Sequence, residues 1–111
     1  MKIVSLGKSA EFLVPMVKIR RRKSATKIRT FLTEAFGSYY SPRGIVSGYY
    51  RPHGATKAVY DEHTKYRVTF QDDARGTKLR KLQRFLAKLC ADIREECIYL
   101  ECGGVAMTIR P

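Results

Sequence analysis

The densest run of chemically able side chains lies between Lys18 and Arg29, where seven of the twenty-two Lys and Arg residues occur with no acid among them. Cations at that density suit phosphate, and phosphate is further favoured where a strand runs into a helix, because free backbone N–H groups and the helix dipole point at the same place. Arg20, Arg21, Arg22, Lys23, Lys27 and Arg29 are therefore the expected phosphate contacts. A second set, Arg80, Lys81, Arg84 and Lys88, recurs at helical spacing and would widen the footprint. Tyr39-Tyr40 and Tyr49-Tyr50 sit among Ser, Gly, Pro and Arg rather than in apolar runs. An exposed Tyr49 or Tyr50 beside Arg43 and Arg51 would stack on unpaired bases, a contact of ~1–3 kcal/mol per base.

Acid–base chemistry has fewer places to go. His53 and His63 are the only histidines, and Tyr60-Asp61-Glu62-His63-Thr64-Lys65 sets an acid or base beside a cation. His63, Tyr60 and Lys65 are the expected catalytic set if the chain is a metal-independent endoribonuclease. The same six residues also read as a polar loop between two strands. There is no Gly-rich phosphate loop, nucleophile elbow or paired-His metal motif, so neither a metal nor a cofactor is expected. Cys90, Cys97 and Cys102 are odd in number and contain no C-x-x-C pair, which fits reduced thiols better than a disulfide framework or a zinc site.

A length of 111 residues bounds the chain to one main core, and its 44% hydrophobic content is enough to fold it. Residues 1–10 read as an N-terminal arm or short strand and residues 11–111 as a single domain. No apolar run approaches the ~20 residues of a membrane span, and Met1 to Leu6 is too short for a signal-peptide core, so a cytoplasmic location is expected. A net charge of +12 repels itself, and an anionic partner would offset that repulsion. These observations predict a non-catalytic nucleic-acid-binding protein, with RNA or single-stranded DNA ahead of duplex. The alternatives are the endoribonuclease and a mobile-element interaction or inhibitor protein docking on an acidic host protein. A free sheet edge would also offer a homodimer contact.

The elements that must position these residues follow from hydrophobic spacing. Phe12 to Ile19 reads as a strand interrupted at Pro15. Ser24 then caps a helix with Ile28, Phe31, Leu32, Ala35 and Phe36 on one side, stopped by Gly37. Ile45 to Arg51 has strand character, Pro52-His53-Gly54 makes a turn, and Lys65 to Gln71 alternates so that Tyr66, Val68 and Phe70 share one face. Thr77 caps a second helix with Leu79, Leu82, Phe85, Leu86, Leu89, Cys90 and Ile93 in one stripe. Cys97 to Glu101 is a strand, and Gly103-Gly104 allows a hairpin return. Strand, helix, strand, strand, helix, strand predicts an α+β, ferredoxin-like βαββαβ fold, an antiparallel sheet with two helices on one face and an extra C-terminal hairpin strand.

Phe12-Leu13-Val14-Pro15, Phe31-Leu32 with Ala35-Phe36-Gly37, Gly48-Tyr49-Tyr50 and Glu96-Cys97-Ile98-Tyr99-Leu100-Glu101 give the chain a resemblance to a group of small bacterial and mobile-element proteins of unknown function with a predicted ferredoxin-like fold. The resemblance implies that fold and a phage, plasmid or genomic-island setting, and it implies no activity. The chain departs from the group in Arg20-Arg21-Arg22-Lys23 and in its basic second helix.

Overall fold

The computed structural model describes residues 1–42 and 44–111, the side chains of Arg21 and Arg22 excepted. Its elements run β1 (Lys8–Pro15), α1 (Met16–Arg22), α2 (Ser24–Phe36), β2 (Val46–Tyr50), β3 (Val59–Phe70), α3 (Thr77–Asp92), β4 (Ile98–Cys102) and β5 (Val105–Ile109). The strands form one antiparallel sheet in the order β2-β3-β1-β4-β5. The first four strands hold the ferredoxin-like order, and β5 is the extra hairpin strand beyond β4.

The core lies between the sheet and the helices. Ala10, Phe12 and Val14 of β1, Tyr66, Val68 and Phe70 of β3, and Ile98, Leu100 and Cys102 of β4 all point to one side. They meet Ile28 and Leu32 of α2 and Leu82, Leu86, Leu89 and Cys90 of α3. Phe12 stacks on Tyr66 with ring centroids 5.2 Å apart. The alternation read from the sequence therefore has the expected phase, with Tyr66, Val68 and Phe70 under the helices and Lys65 and Arg67 on the open face.

Local expectations change at several places. The segment Phe12 to Ile19 does not stay extended: Pro15 (φ −55°, ψ 127°) ends β1, and Met16–Arg22 coils into the short helix α1. Proline has no N–H for the next ladder bond, yet its fixed φ suits entry into a helix. The strand begins at Lys8, within the segment 1–10 read as an arm or short strand. Gly7 permits this close start, since a Cβ there would lie 2.2 Å from the Phe70 carbonyl oxygen. The polar stretch Tyr60 to Lys65 is not a loop but the first half of β3, held extended by pairing with β2 from Val46↔His63 to Tyr50↔Val59.

The caps differ too. Ser24 is buried inside α2, with Lys23 in the left-handed region (φ 53°) between the two helices. Thr77 is the first residue of α3 rather than its cap, and Gly76 precedes it with φ 67°. The exposed N–H groups of α3 go instead to two carboxylates. Asp73 accepts from the Thr77 N–H at 3.0 Å and the Thr77 hydroxyl at 2.6 Å, and Asp72 from the Lys78 N–H at 3.0 Å. Hydrogen bonds from the Thr77 side chain and then its backbone hold the Asp73 carboxyl below its ordinary pKa. A lowered carboxyl stabilises the fold above its unfolded pKa and loses that contribution as pH falls through the folded one. Asp73→Ala is expected to lower the thermal midpoint at pH 7, with the gap from wild type closing as the pH is taken into the acid range in a melting series.

Candidate active-site cleft on the open sheet face

The face that the helices leave free is not flat. The sheet curls so that its outermost strands, β2 and β5, both border one cleft of about 580 Å³. That size suits a small-molecule ligand. Register explains which side chains meet there. Leu13 of β1 pairs with Tyr99 of β4, which pairs with Thr108 of β5, while Pro15 pairs with His63 of β3 and His63 with Val46 of β2. Asp61 lies two residues from His63 on the same face, with its carboxylate 3.8 Å from the imidazole.

The cleft's remaining border comes from the turn between α3 and β4. Ile93 N–H donates to Leu89, Arg94 N–H to Ala91 and Glu95 N–H to Cys90, a Schellman-type ending that requires a left-handed residue just past the helix. Arg94 fills that position with φ 57°. The turn delivers Glu95, Glu96 and Cys97 to the cleft. Lys18 of α1 donates to the Ile93 carbonyl at 2.9 Å and lies 3.6 Å from the Glu95 carboxylate, while Arg110 reaches Glu96 at 3.3 Å.

Three of the ten acids, Asp61, Glu95 and Glu96, thus gather at one cleft in a chain of net charge +12. The Tyr50 phenol registers their effect. Its pKa is raised by burial first and then by the negative charges of Glu95, Asp61 and Glu96. Tyr50 and Tyr99 set aromatic surface beside these acids, whereas the Tyr49 ring turns with Tyr60 to the other face of the sheet. Among the described residues, no three His, Cys, Asp or Glu side chains converge as metal ligands would.

The residues singled out from sequence are scattered. Arg20, Lys23 and Arg29 are exposed on or between α1 and α2, and Lys27 lies 3.9 Å from Asp92. Arg80, Lys81, Arg84 and Lys88 are exposed along α3, away from the sheet. The Arg21 and Arg22 side chains and all of Arg43 lie outside the described residues. Arg20 lies within the short helix α1, which begins at Met16 directly after β1. Only Tyr49, Tyr50 and Arg51 of that set border the cleft. Of the alternative catalytic trio, His63 borders it, Lys65 is tied to Glu11 at 3.1 Å, and Tyr60 faces the opposite side, edge-on to Tyr49 at 5.4 Å. Sequence reasoning missed Glu95, Glu96, Cys97, Tyr99 and Arg110. The available signal was the abrupt reversal of charge where basic α3 ends in Asp92, Glu95 and Glu96.

No family model matches the sequence, and no curated protein matches it. Among solved structures, a phage SAM lyase in complex with S-methyl-5'-thioadenosine superposes with a TM-score of 0.66 at 14% identity, covering 100% of this chain and 95% of the other. A phage SAM lyase in the apo state gives 0.62 at 15% identity, with the same coverage. At that identity the likeness is one of fold, over the whole chain. It overturns the expectation of a non-catalytic nucleic-acid-binding protein, because the chains that share this architecture from end to end are an enzyme that holds a small nucleoside. The physical reason the sequence misled is that the exposed cations lie mainly on the helices, whereas the concave face collects acids and tyrosines. No helix is long and apolar enough to cross a membrane among the described residues.

Two predictions follow from this geometry. A non-glycine residue in the left-handed region costs about 1–2 kcal/mol, partly returned through glycine's freer unfolded chain. Arg94→Gly is therefore expected to raise stability by about 1 kcal/mol in denaturant unfolding. Burial, followed by the neighbouring Cys97, pushes the Cys90 thiol up to about 11, and burial also raises Cys102. Half-buried Cys97 is then the thiol that an alkylating reagent should modify first at pH 8, as read by peptide mass mapping, with Cys90 and Cys102 modified only on unfolding.

Proposed function

We propose that this chain is a SAM-cleaving enzyme, binding S-adenosylmethionine in the open-face cleft and releasing S-methyl-5'-thioadenosine. The observation that carries the reading is the convergence of Asp61, Glu95 and Glu96 with Tyr50 and Tyr99 on one concave surface of a basic chain. The full-length likeness of fold to phage SAM lyase supports it. A phage setting agrees with the resemblance noted from the sequence, and we place the activity in the cytoplasm, where the substrate is made.

The substrate carries a sulfonium, an α-ammonium, a carboxylate and an adenine. In our scheme the bond between sulfur and the amino-acid side chain breaks, and its electron pair stays on sulfur, which leaves as a neutral thioether. The substrate's own carboxylate supplies the replacing bond and closes a five-membered lactone, so no proton need be transferred. Charge on sulfur disappears along this path while the ammonium keeps its own. Carboxylates act best at the ammonium, where attraction persists into the transition state, and tyrosine rings at the sulfonium and adenine, where a less polar surface favours charge cancellation. No cofactor enters this scheme.

Purified chain incubated with S-adenosylmethionine is expected to accumulate S-methyl-5'-thioadenosine well above the spontaneous rate of an enzyme-free control, measured by liquid chromatography and mass spectrometry. Asp61→Asn is expected to lower kcat/KM by about tenfold, the order of one charge-assisted contact. Product formation at the control rate, together with no binding heat for either nucleoside in calorimetry, would refute the reading.

A further inference from the structure

We propose that Lys18 is a positioning residue for the cleft, holding Glu95 as the carboxylate that receives the ligand's α-ammonium. This rests on the reading of the cleft given above and assigns one of its subsites. Lys18 belongs to α1, on the helical side, and does not itself line the cleft. Its ammonium makes two contacts across 75 and 77 residues of sequence, a 2.9 Å hydrogen bond to the Ile93 carbonyl and a 3.6 Å approach to Glu95. The Ile93 carbonyl is one of those a helix leaves without an intrahelical partner at its C-terminus, where a cation is also favoured by the helix dipole.

The shorter contact is to the carbonyl, so the ammonium anchors the backbone of the turn first and the carboxylate second. Further bonds fix the same turn. The Glu95 N–H donates to the Cys90 carbonyl at 3.0 Å, and the Cys90 thiol donates to the Glu95 carbonyl at 3.2 Å. Arg94, left-handed between them, leaves Glu95 little freedom to swing away. Of the two adjacent carboxylates, Glu95 is the more sheltered, with a side chain 19% exposed against 44% for Glu96. A sheltered charge is less screened and interacts more strongly with an arriving cation. Lys18 keeps that carboxylate aimed through its Oε1, leaving the second oxygen for the ligand.

The test compares steady-state kinetics of wild type, Lys18→Met, Lys18→Arg, Glu95→Gln and the Lys18→Met/Glu95→Gln double variant on S-adenosylmethionine, with thermal melts to confirm that each is folded. Lys18→Met is expected to raise KM about tenfold with kcat within about threefold, and Lys18→Arg to restore most of the loss. Glu95→Gln should raise KM by a similar factor, and the double variant should be no worse than the worse single, since both act through one contact. A wild-type KM in folded Lys18→Met, or effects that multiply in the double variant, would overturn the positioning role while leaving the enzyme reading intact. A wild type that neither binds nor cleaves S-adenosylmethionine would remove that reading, and this inference with it.

Discussion

Everything in this molecule depends on the pairing phase of β1 with β3, fixed where Phe12 lies against Tyr66 at the centre of the sheet. Because side chains alternate strictly along a strand, that one pair decides that Val14, Val68 and Phe70 go under the helices. It decides equally that Leu13, His63 and Asp61 go to the other face, where the cleft is. A slip of one residue would bury Lys65 and Arg67 and turn the phenyl and phenol rings to water. Core and cleft are therefore two faces of the same choice, and neither could be changed independently of the other.

The charge distribution is layered on that choice. Lys65 and Arg67 emerge on the open face and share a single carboxylate, Glu11, at 3.1 and 3.5 Å, so one of the two positive charges there is balanced internally. Farther along the same face, Asp61, Glu95 and Glu96 each have one basic neighbour, His63, Lys18 and Arg110 respectively. A chain of net charge +12 presents a repulsive far field to a cationic small molecule, but at physiological ionic strength such a field fades within about 8 Å. At contact range the local carboxylates decide, and net charge describes the helical exterior rather than the concave surface.

The sequence made the fold readable where a periodic pattern was uninterrupted. Tyr66-Val68-Phe70 and the Leu82 to Ile93 stripe each allow a single orientation, and the Gly103-Gly104 hairpin is set by the two positive φ angles it needs. Legibility failed where tertiary pairing overrode local chemistry. Tyr60 to Lys65 has the composition of a loop and is a strand because β2 lies beside it. Met16 to Arg22 is apolar and β-rich at its start and is a helix because Pro15 ends the ladder before it. The cleft was the least legible part, since Leu13, Asp61, Glu95, Tyr99 and Arg110 come from separate elements and are joined only by sheet order and curl. A run of seven cations is conspicuous in a line of text, whereas three acids that converge from different segments are not.

That dispersal bears on how the molecule must assemble. The row that crosses the cleft pairs Leu13 with Tyr99 and Tyr99 with Thr108, so its first contact joins residues 86 positions apart. Closing so long a loop is paid in chain entropy before any contact repays it, and topologies of this kind fold more slowly than helical ones of equal size. The β4–β5 hairpin and the amphipathic α3 can form from near neighbours, but the concave surface cannot exist, even in part, until β1 has docked between β3 and β4. No folding intermediate built from local elements alone would carry the cleft, and its appearance would mark the completion of the central sheet.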